Sequence, residues 1–266
     1  MSNNLLNFWI DSHVHIYPMY DIDTMLDCAY DNFQKASEQT TDTINKYVLF
    51  ITQGINEHAF QRLADHDGHR WNIQRNNHEF SAQLNDQQIT LIPGQQLVSS
   101  EGIELLVIGG SELDFSPKRS IYELIDLFKD DLTILPWGFG KWLGKRGALV
   151  TELLQNQQMS EFMFVGDIPG RLNLLGGKTN FNTSNNTQLR GVDPLPFENE
   201  QKRIASFGSC LQTTEPLNIH LSFTQNIANY LKSMNEDTSD VKISHYGNHL
   251  PLITNLCSQL KIRLKK

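Results

Sequence analysis

The stretch Ile10-Asp11-Ser12-His13-Val14-His15-Ile16 limits what this chain can fold into. Polar and apolar residues alternate along it, and in a β-strand the side chains at i, i+2 and i+4 share one face. Asp11, His13 and His15 are therefore expected on one side, with Phe8, Ile10, Val14 and Ile16 packed on the other. A carboxylate and two imidazoles on one face are costly to bury without partners. A divalent metal at the strand end would satisfy them, because neutral imidazole and carboxylate are its usual ligands. A polar strand end open to water is the plainer alternative.

The rest of the chain supplies a setting for such a strand. Asp21 can cap a helix carrying Ile22, Met25, Leu26, Ala29, Phe33 and Ala36 at helical spacing. The apolar run Tyr47-Val48-Leu49-Phe50-Ile51 reads as a strand buried on both faces. Asn56 can cap a second helix through Phe60 and Leu63, and this strand–helix rhythm points to parallel βα units. Residues 71–108 read instead as short strands in antiparallel hairpins, decorating the main sheet. The βα rhythm resumes with a helix around Ile121–Phe128, a strand at Leu132–Leu135, a helix near Ala148–Gln155 and a strand at Phe162–Val165 ending in Gly166-Asp167. Residues 169–187 are rich in Gly and Asn and predict a long loop over the fold. A short strand follows at Leu189–Asp193, then helices near Leu217–Met234 and Leu250–Leu260. The expectation is one α/β barrel domain over 1–266, with a helical extension from near residue 215.

Composition removes several classes of function. A net charge of −8 disfavours broad binding to nucleic acid or anionic membrane, while leaving room for a local basic patch. Cys28, Cys210 and Cys257 are widely spaced, which fits reduced thiols in a cytoplasm rather than a disulfide framework or zinc knuckle. No signal peptide and no transmembrane run of about 18 apolar residues is read.

In barrels of parallel strands the chemistry sits at the C-terminal strand ends. Those ends carry His13 and His15, then Trp137, Asp167 and Asp193. The histidines and the late acids could close around a metal that acidifies water and polarises a phosphoryl or carbonyl oxygen; each acid could equally be a cap or turn residue. His58 could reach the site from the second βα loop. The loop Pro136–Gly147 combines four glycines with Lys141, Lys145 and Arg146 between Trp137 and Trp142. Backbone N–H groups and cations of this kind favour an anionic ligand, although a packed structural loop with solvated cations has the same composition. Arg171 could add another anion contact.

Asp11-Ser12-His13-Val14-His15 resembles the opening motif of the PHP (polymerase and histidinol phosphatase) family. Ile92-Pro93-Gly94-Gln95-Gln96 is similar to its Pro-Gly-x-Glu motif, and Gly191-Val192-Asp193 to its late Gly-Ser-Asp motif. The resemblance implies a distorted seven-stranded βα barrel with two or three metals and phosphoesterase activity. The departures are Gln96 in place of a bridging Glu, Gln53-Gly54 in place of an Asp-His pair, Leu135-Pro136-Trp137 without a histidine in place of an Ala-His-Pro strand end, and Leu195 where a histidine would follow the late Asp. What remains is one open site of His13, His15 and Asp193 for a divalent ion such as Zn, Mn or Fe. Asp11 or Asp167 would orient ligands or act as general base. Trp137, Lys141, Arg146 and Arg171 would contact the substrate. Two functions follow: a metal-dependent hydrolase of an anionic substrate, a phosphoester first, or a barrel that has lost hydrolysis and serves as a binding or regulatory module.

Overall fold

The computed structural model describes residues 5–250 except 39, 41–42, 56, 69, 77–78, 110–117, 139–141, 143, 156–161, 172–186 and 235–238. Its strands are β1 (Leu5–Val14), β2 (Thr43–Gln53), β3 (Asn72–Asn76), β4 (Glu79–Leu84), β5 (Gln87–Val98), β6 (Glu104–Ile108), β7 (Leu132–Pro136), β8 (Met163–Asp167), β9 (Gln188–Arg190), β10 (Gly208–Thr213) and β11 (Lys242–Tyr246). Its α-helices are α1 (Ile22–Ser37), α2 (Ala59–Ala64), α3 (Ile121–Leu127), α4 (Gly144–Gln155) and α5 (Phe223–Ser233). Asp21 caps α1 through the Thr24 amide, and Ser120 caps α3 in a reciprocal capping box with Glu123. The residues expected to form the Asn56 cap, most of the 169–187 loop and the helix beyond Leu250 lie outside the described residues.

All eleven strands join one sheet, in the order β11-β10-β1-β2-β5-β6-β7-β8-β9, with the β3–β4 hairpin attached through β4 to β5. β1, β2 and β5 run parallel, as do β7, β8 and β9. β6 is antiparallel to both its neighbours, and β10 and β11 extend the other edge antiparallel. The sheet curls until the exit of β9 meets β1, where Asp193 N donates to His13 O at 2.8 Å. Nearby, Arg190 N donates to Ser209 Oγ of β10 at 2.9 Å. The result is a nearly closed, strand-rich barrel of mixed direction.

This corrects the expected seven-stranded, helix-flanked βα barrel. The β5–β6 hairpin, taken from the sequence as decoration, is part of the wall. Residues 208–213 and 242–246 carry no long apolar run, yet they form β10 and β11 because β1 offers them a free edge. Among the described residues no helix is long and apolar enough to cross a membrane.

Three apolar clusters divide the molecule. The barrel interior holds Phe8, Ile10, Val48, Phe50, Ile92, Leu106, Ile134, Phe164, Leu189 and Leu211, together with Ile227 and Leu231 of α5. Helix α5 closes the end where β1 begins: Phe8 meets Phe223 and Tyr230 with ring centroids 5.8 and 5.7 Å apart. A second cluster packs α1 and α2 on the outside of β1, β2 and β5, and a third packs α3 and α4 on β6, β7 and β8. The open end of the barrel is therefore the one where β1, β2, β5, β7, β8 and β9 finish.

Gly191 makes the closure possible. A Cβ there would lie 2.4 Å from the His13 amide nitrogen and 2.7 Å from its Cβ, so only a residue without one lets the β9 exit approach β1. Gly191→Ala is expected to destabilise the fold by about 1–3 kcal/mol, the range for overpacking. Equilibrium urea unfolding against wild type measures this, and an unchanged midpoint would show that the two segments need not touch.

Candidate metal centre at the open end of the barrel

The side chains of β1 do not point as simple alternation requires. Asp11 pairs with Leu49 of β2 but Val14 pairs with Ile51, so β1 carries one extra residue between them. This β-bulge reverses the parity of the strand. Phe8 and Ile10 face the barrel interior, whereas Val14 and Ile16 join Trp9 in the outer cluster. His13 and His15 turn inward as a result, and Asp11 stays on the side of Trp9. The expected single face of Asp11, His13 and His15 is split in two.

Asp11 is fully buried and its carboxylate accepts three backbone amides: Val192 N at 2.9 Å, Ala205 N at 2.8 Å and His13 N at 3.3 Å. Burial pushes its carboxyl up to about 7, against the lowering pull of those amides. Its geometry is that of an anchor. It fixes His13 from one side and, through Val192, Asp193 from the other.

His13 Nε2 lies 3.1 Å from His15 Nε2. Gln96 Oε1, from the inward face of β5, lies 3.2 Å from the first and 3.1 Å from the second. Asp193 Oδ1 stands 3.6 Å from His13 Nε2 and 3.9 Å from His15 Nε2. His13, His15 and Asp193 thus bring one potential ligand atom each within 4.8 Å of one another. Asp193 has φ +46°, a left-handed conformation uncommon outside glycine, asparagine and aspartate.

Glu57, in the β2–α2 connection, orients His15. Its Oε2 accepts from the Gly54 amide at 2.9 Å and lies 3.0 Å from His15 Nδ1. A proton on Nδ1 donated to Glu57 leaves the Nε2 lone pair facing the cluster. Tyr17 stacks on the same imidazole at 5.4 Å. His13 Nδ1 is buried and has no hydrogen-bond partner among the described residues.

Two Nε2 atoms, one amide oxygen and one carboxylate oxygen converge here. With both imidazoles in the Nδ1–H tautomer all four are acceptors, and a shared cation would satisfy them. Burial lowers the pKa of His13, with the charge of Asp193 pulling upward. Burial also acts to lower His15, but the hydrogen bond and charge of Glu57 outweigh it and raise it. A proton on His15 is one way to fill the gap. A divalent metal is the other, and four-coordinate sites with ligand bonds of about 2.0–2.1 Å place neighbouring ligand atoms roughly 3.3 Å apart. The residues present fit such an ion, with Glu57 as the outer carboxylate that metal-binding imidazoles usually have.

The other residues singled out from the sequence lie elsewhere or are engaged. Asp167 is fully buried and bonded to Arg171, Arg190 and His249, so neither it nor Asp11 has an oxygen left for proton transfer. Trp137 packs with the outer α3–α4 cluster, and Trp142 joins it while donating to Pro136 O at 3.2 Å. Arg146 reaches Gly102 O at 3.4 Å. The described part of the glycine loop thus belongs to the outer wall, and Lys141 lies outside the described residues. Sequence reasoning missed Glu57 altogether and treated Gln96 as a loss. The available signal for Gln96 was its parity with Ile92 and Gly94 on an inward strand face; Glu57, in a loop, offered none.

No protein-family model matches this chain, and no curated protein matches it. Among solved structures it is similar to the crystal structure of PsfC from Pseudomonas syringae PB-5123, with a TM-score of 0.55 and 13% identity, over 99% of this chain and 100% of that one. At that identity the likeness concerns the fold alone. The resemblance to the PHP family rests on the short motifs only.

Glu57→Gln is expected to weaken metal binding by about 10–100-fold, the usual effect of losing an outer-shell partner. Gln96→Leu should weaken it as well. Competition against a chromogenic chelator reads both; unchanged affinity in either variant removes that residue from the centre. Because a metal competes with protons for the two imidazoles, and Glu57 raises the His15 pKa, affinity should rise with pH, with proton release visible by calorimetry in two buffers.

Proposed function

We propose that the chain is a metal-dependent hydrolase of an anionic substrate, with phosphoesters as the favoured class. The observation that carries this reading is the convergence of four potential ligand atoms at the open end of a barrel whose other end is plugged. The two imidazoles are buried, at 4% and 5% side-chain exposure, while Asp193 is 29% exposed, so solvent reaches the cluster from one side. Hydrolytic metal centres keep such an open position.

In this reading His13, His15 and Asp193 hold the ion, and Gln96 completes the set as a neutral ligand. A divalent ion supplies positive charge that polarises a phosphoryl oxygen and acidifies water. Glu57 keeps His15 in the tautomer that presents Nε2. Glu104 starts β6 on the same rim, and its charge acts on both His13 and Tyr17. It takes the base role that Asp11 and Asp167 cannot fill. Burial and the surrounding carboxylates hold the Tyr17 hydroxyl protonated, so it serves as a donor to an anionic oxygen.

Protein stripped with chelator and reconstituted with Zn, Mn or Fe should retain stoichiometric metal by mass spectrometry. It should then hydrolyse members of a phosphomono- and diester panel, and Asp193→Asn should abolish turnover. No retained metal, together with no effect of His13→Ala on any measured property, would overturn the reading. Metal retained without turnover would favour the binding-module alternative instead.

A further inference from the structure

A second charged cluster lies at the same end of the barrel. Asp167, at the end of β8, receives Arg171 Nε on Oδ1 at 2.6 Å and Arg171 Nη2 on Oδ2 at 3.4 Å. Arg190 Nε reaches Oδ2 at 3.2 Å, and His249 Nε2 lies 3.2 and 3.1 Å from the two oxygens. Two guanidinium groups thus bracket one buried carboxylate.

Arg190 shows where one of these groups is available. Only its Nε binds Asp167; among the described residues its Nη1 and Nη2 have no hydrogen-bond partner. Its Cζ stands 4.8 Å from the Phe207 ring centroid, so the guanidinium is held by a buried carboxylate on one edge and an aromatic face below. The side chain is 20% exposed, so its outer edge is accessible. A guanidinium fixed in this way has two parallel donors set for a bidentate oxyanion, with the entropy of orienting them already lost.

The cluster is tied to the candidate metal centre. Gly191 N donates to Asp167 O at 3.0 Å and Asp193 N to His13 O at 2.8 Å, so the strand exit from Arg190 to Asp193 spans the gap between them. Three residues cover at most about 10 Å between Cα atoms. The geometry points to Arg190 as the subsite for an oxyanionic group of the substrate remote from the metal centre. The substrate is then a small molecule with two anionic groups: the phosphoester at the His13–His15–Asp193 centre and a phosphate or carboxylate at Arg190. The word substrate rests on the hydrolase reading; the anion site itself does not.

The test uses full-length protein freed of metal by chelator, so that an anion cannot be held by a metal. Inorganic phosphate and succinate are titrated separately, at ionic strength matched with chloride, and binding is read by thermal shift and calorimetry. Saturable binding of at least one anion is expected, and the tighter one identifies the group as phosphate or carboxylate. Arg190→Lys keeps a charge beside Asp167 but cannot present paired donors, and should weaken binding at least about tenfold (about 1.4 kcal/mol) while the anion-free melting temperature stays near wild type. Arg171→Lys, measured alongside, should weaken it less. No saturable binding of either anion, or equal binding by wild type and a folded Arg190→Lys, overturns the inference. If the metal and turnover assays fail but phosphate or succinate still binds the metal-free protein, the hydrolase reading falls and this subsite stands.

Discussion

A single carboxylate, that of Asp11, accepts hydrogen bonds from three separate parts of the backbone: β1 at His13, the exit of β9 at Val192 and the turn into β10 at Ala205. Each such bond to a charged acceptor is worth about 1.5–3 kcal/mol when buried. Ala205 has φ +62°, a strained value for alanine, and the Asp11 bond to its amide helps to hold it there. Without this anchor the β9 exit has little to fasten it against β1, and the mouth of the barrel has no fixed shape. Asp193, whose own amide bonds to His13 O, is placed by this closure rather than by any strand pairing of its own.

The bulge in β1 completes the arrangement. One extra residue between Asp11 and Val14 sends the anchor outward and the imidazoles inward. A regular strand would have put all three on one face and either buried Asp11 among the imidazoles or turned the imidazoles away from the interior. The inward layer then consists of His13, His15 and Gln96, with Asp193 at its rim. Where both imidazoles present Nε2 lone pairs, these atoms repel one another unless a cation stands between them, and the effect is stronger in a low-dielectric interior. Glu57 adds to the demand by taking the one imidazole proton that points away from the cluster.

Elements with a strong local signal were legible in the sequence. The periodic apolar face of α1 and its Asp21 cap, the doubly buried run in β2 and the apolar face of α3 all follow from spacing and capping. So was the grouping of His13, His15 and Asp193, which do converge. The barrel class was not legible. It depends on β10 and β11, whose residues become strands only because β1 has an unpaired edge. Local pattern carries no trace of that long-range pairing. Nor could alternation reveal the bulge, because inserting one residue leaves the polar–apolar order of Asp11 to Ile16 unchanged.

Three aspartates show why residue type at a strand end cannot assign a role. Asp11, Asp167 and Asp193 all follow short apolar stretches, and all were candidates for chemistry. Asp11 is saturated by amides and acts on the backbone. Asp167 is saturated by guanidinium groups and an imidazole, so it orients Arg171 and Arg190. Asp193 lies against two imidazoles, and it alone among the three is partly open to solvent. Saturation by donors turns a carboxylate into structure. A carboxylate left partly open beside two imidazoles could join a cation site, and a neutral amide, Gln96, stands against the same two imidazoles.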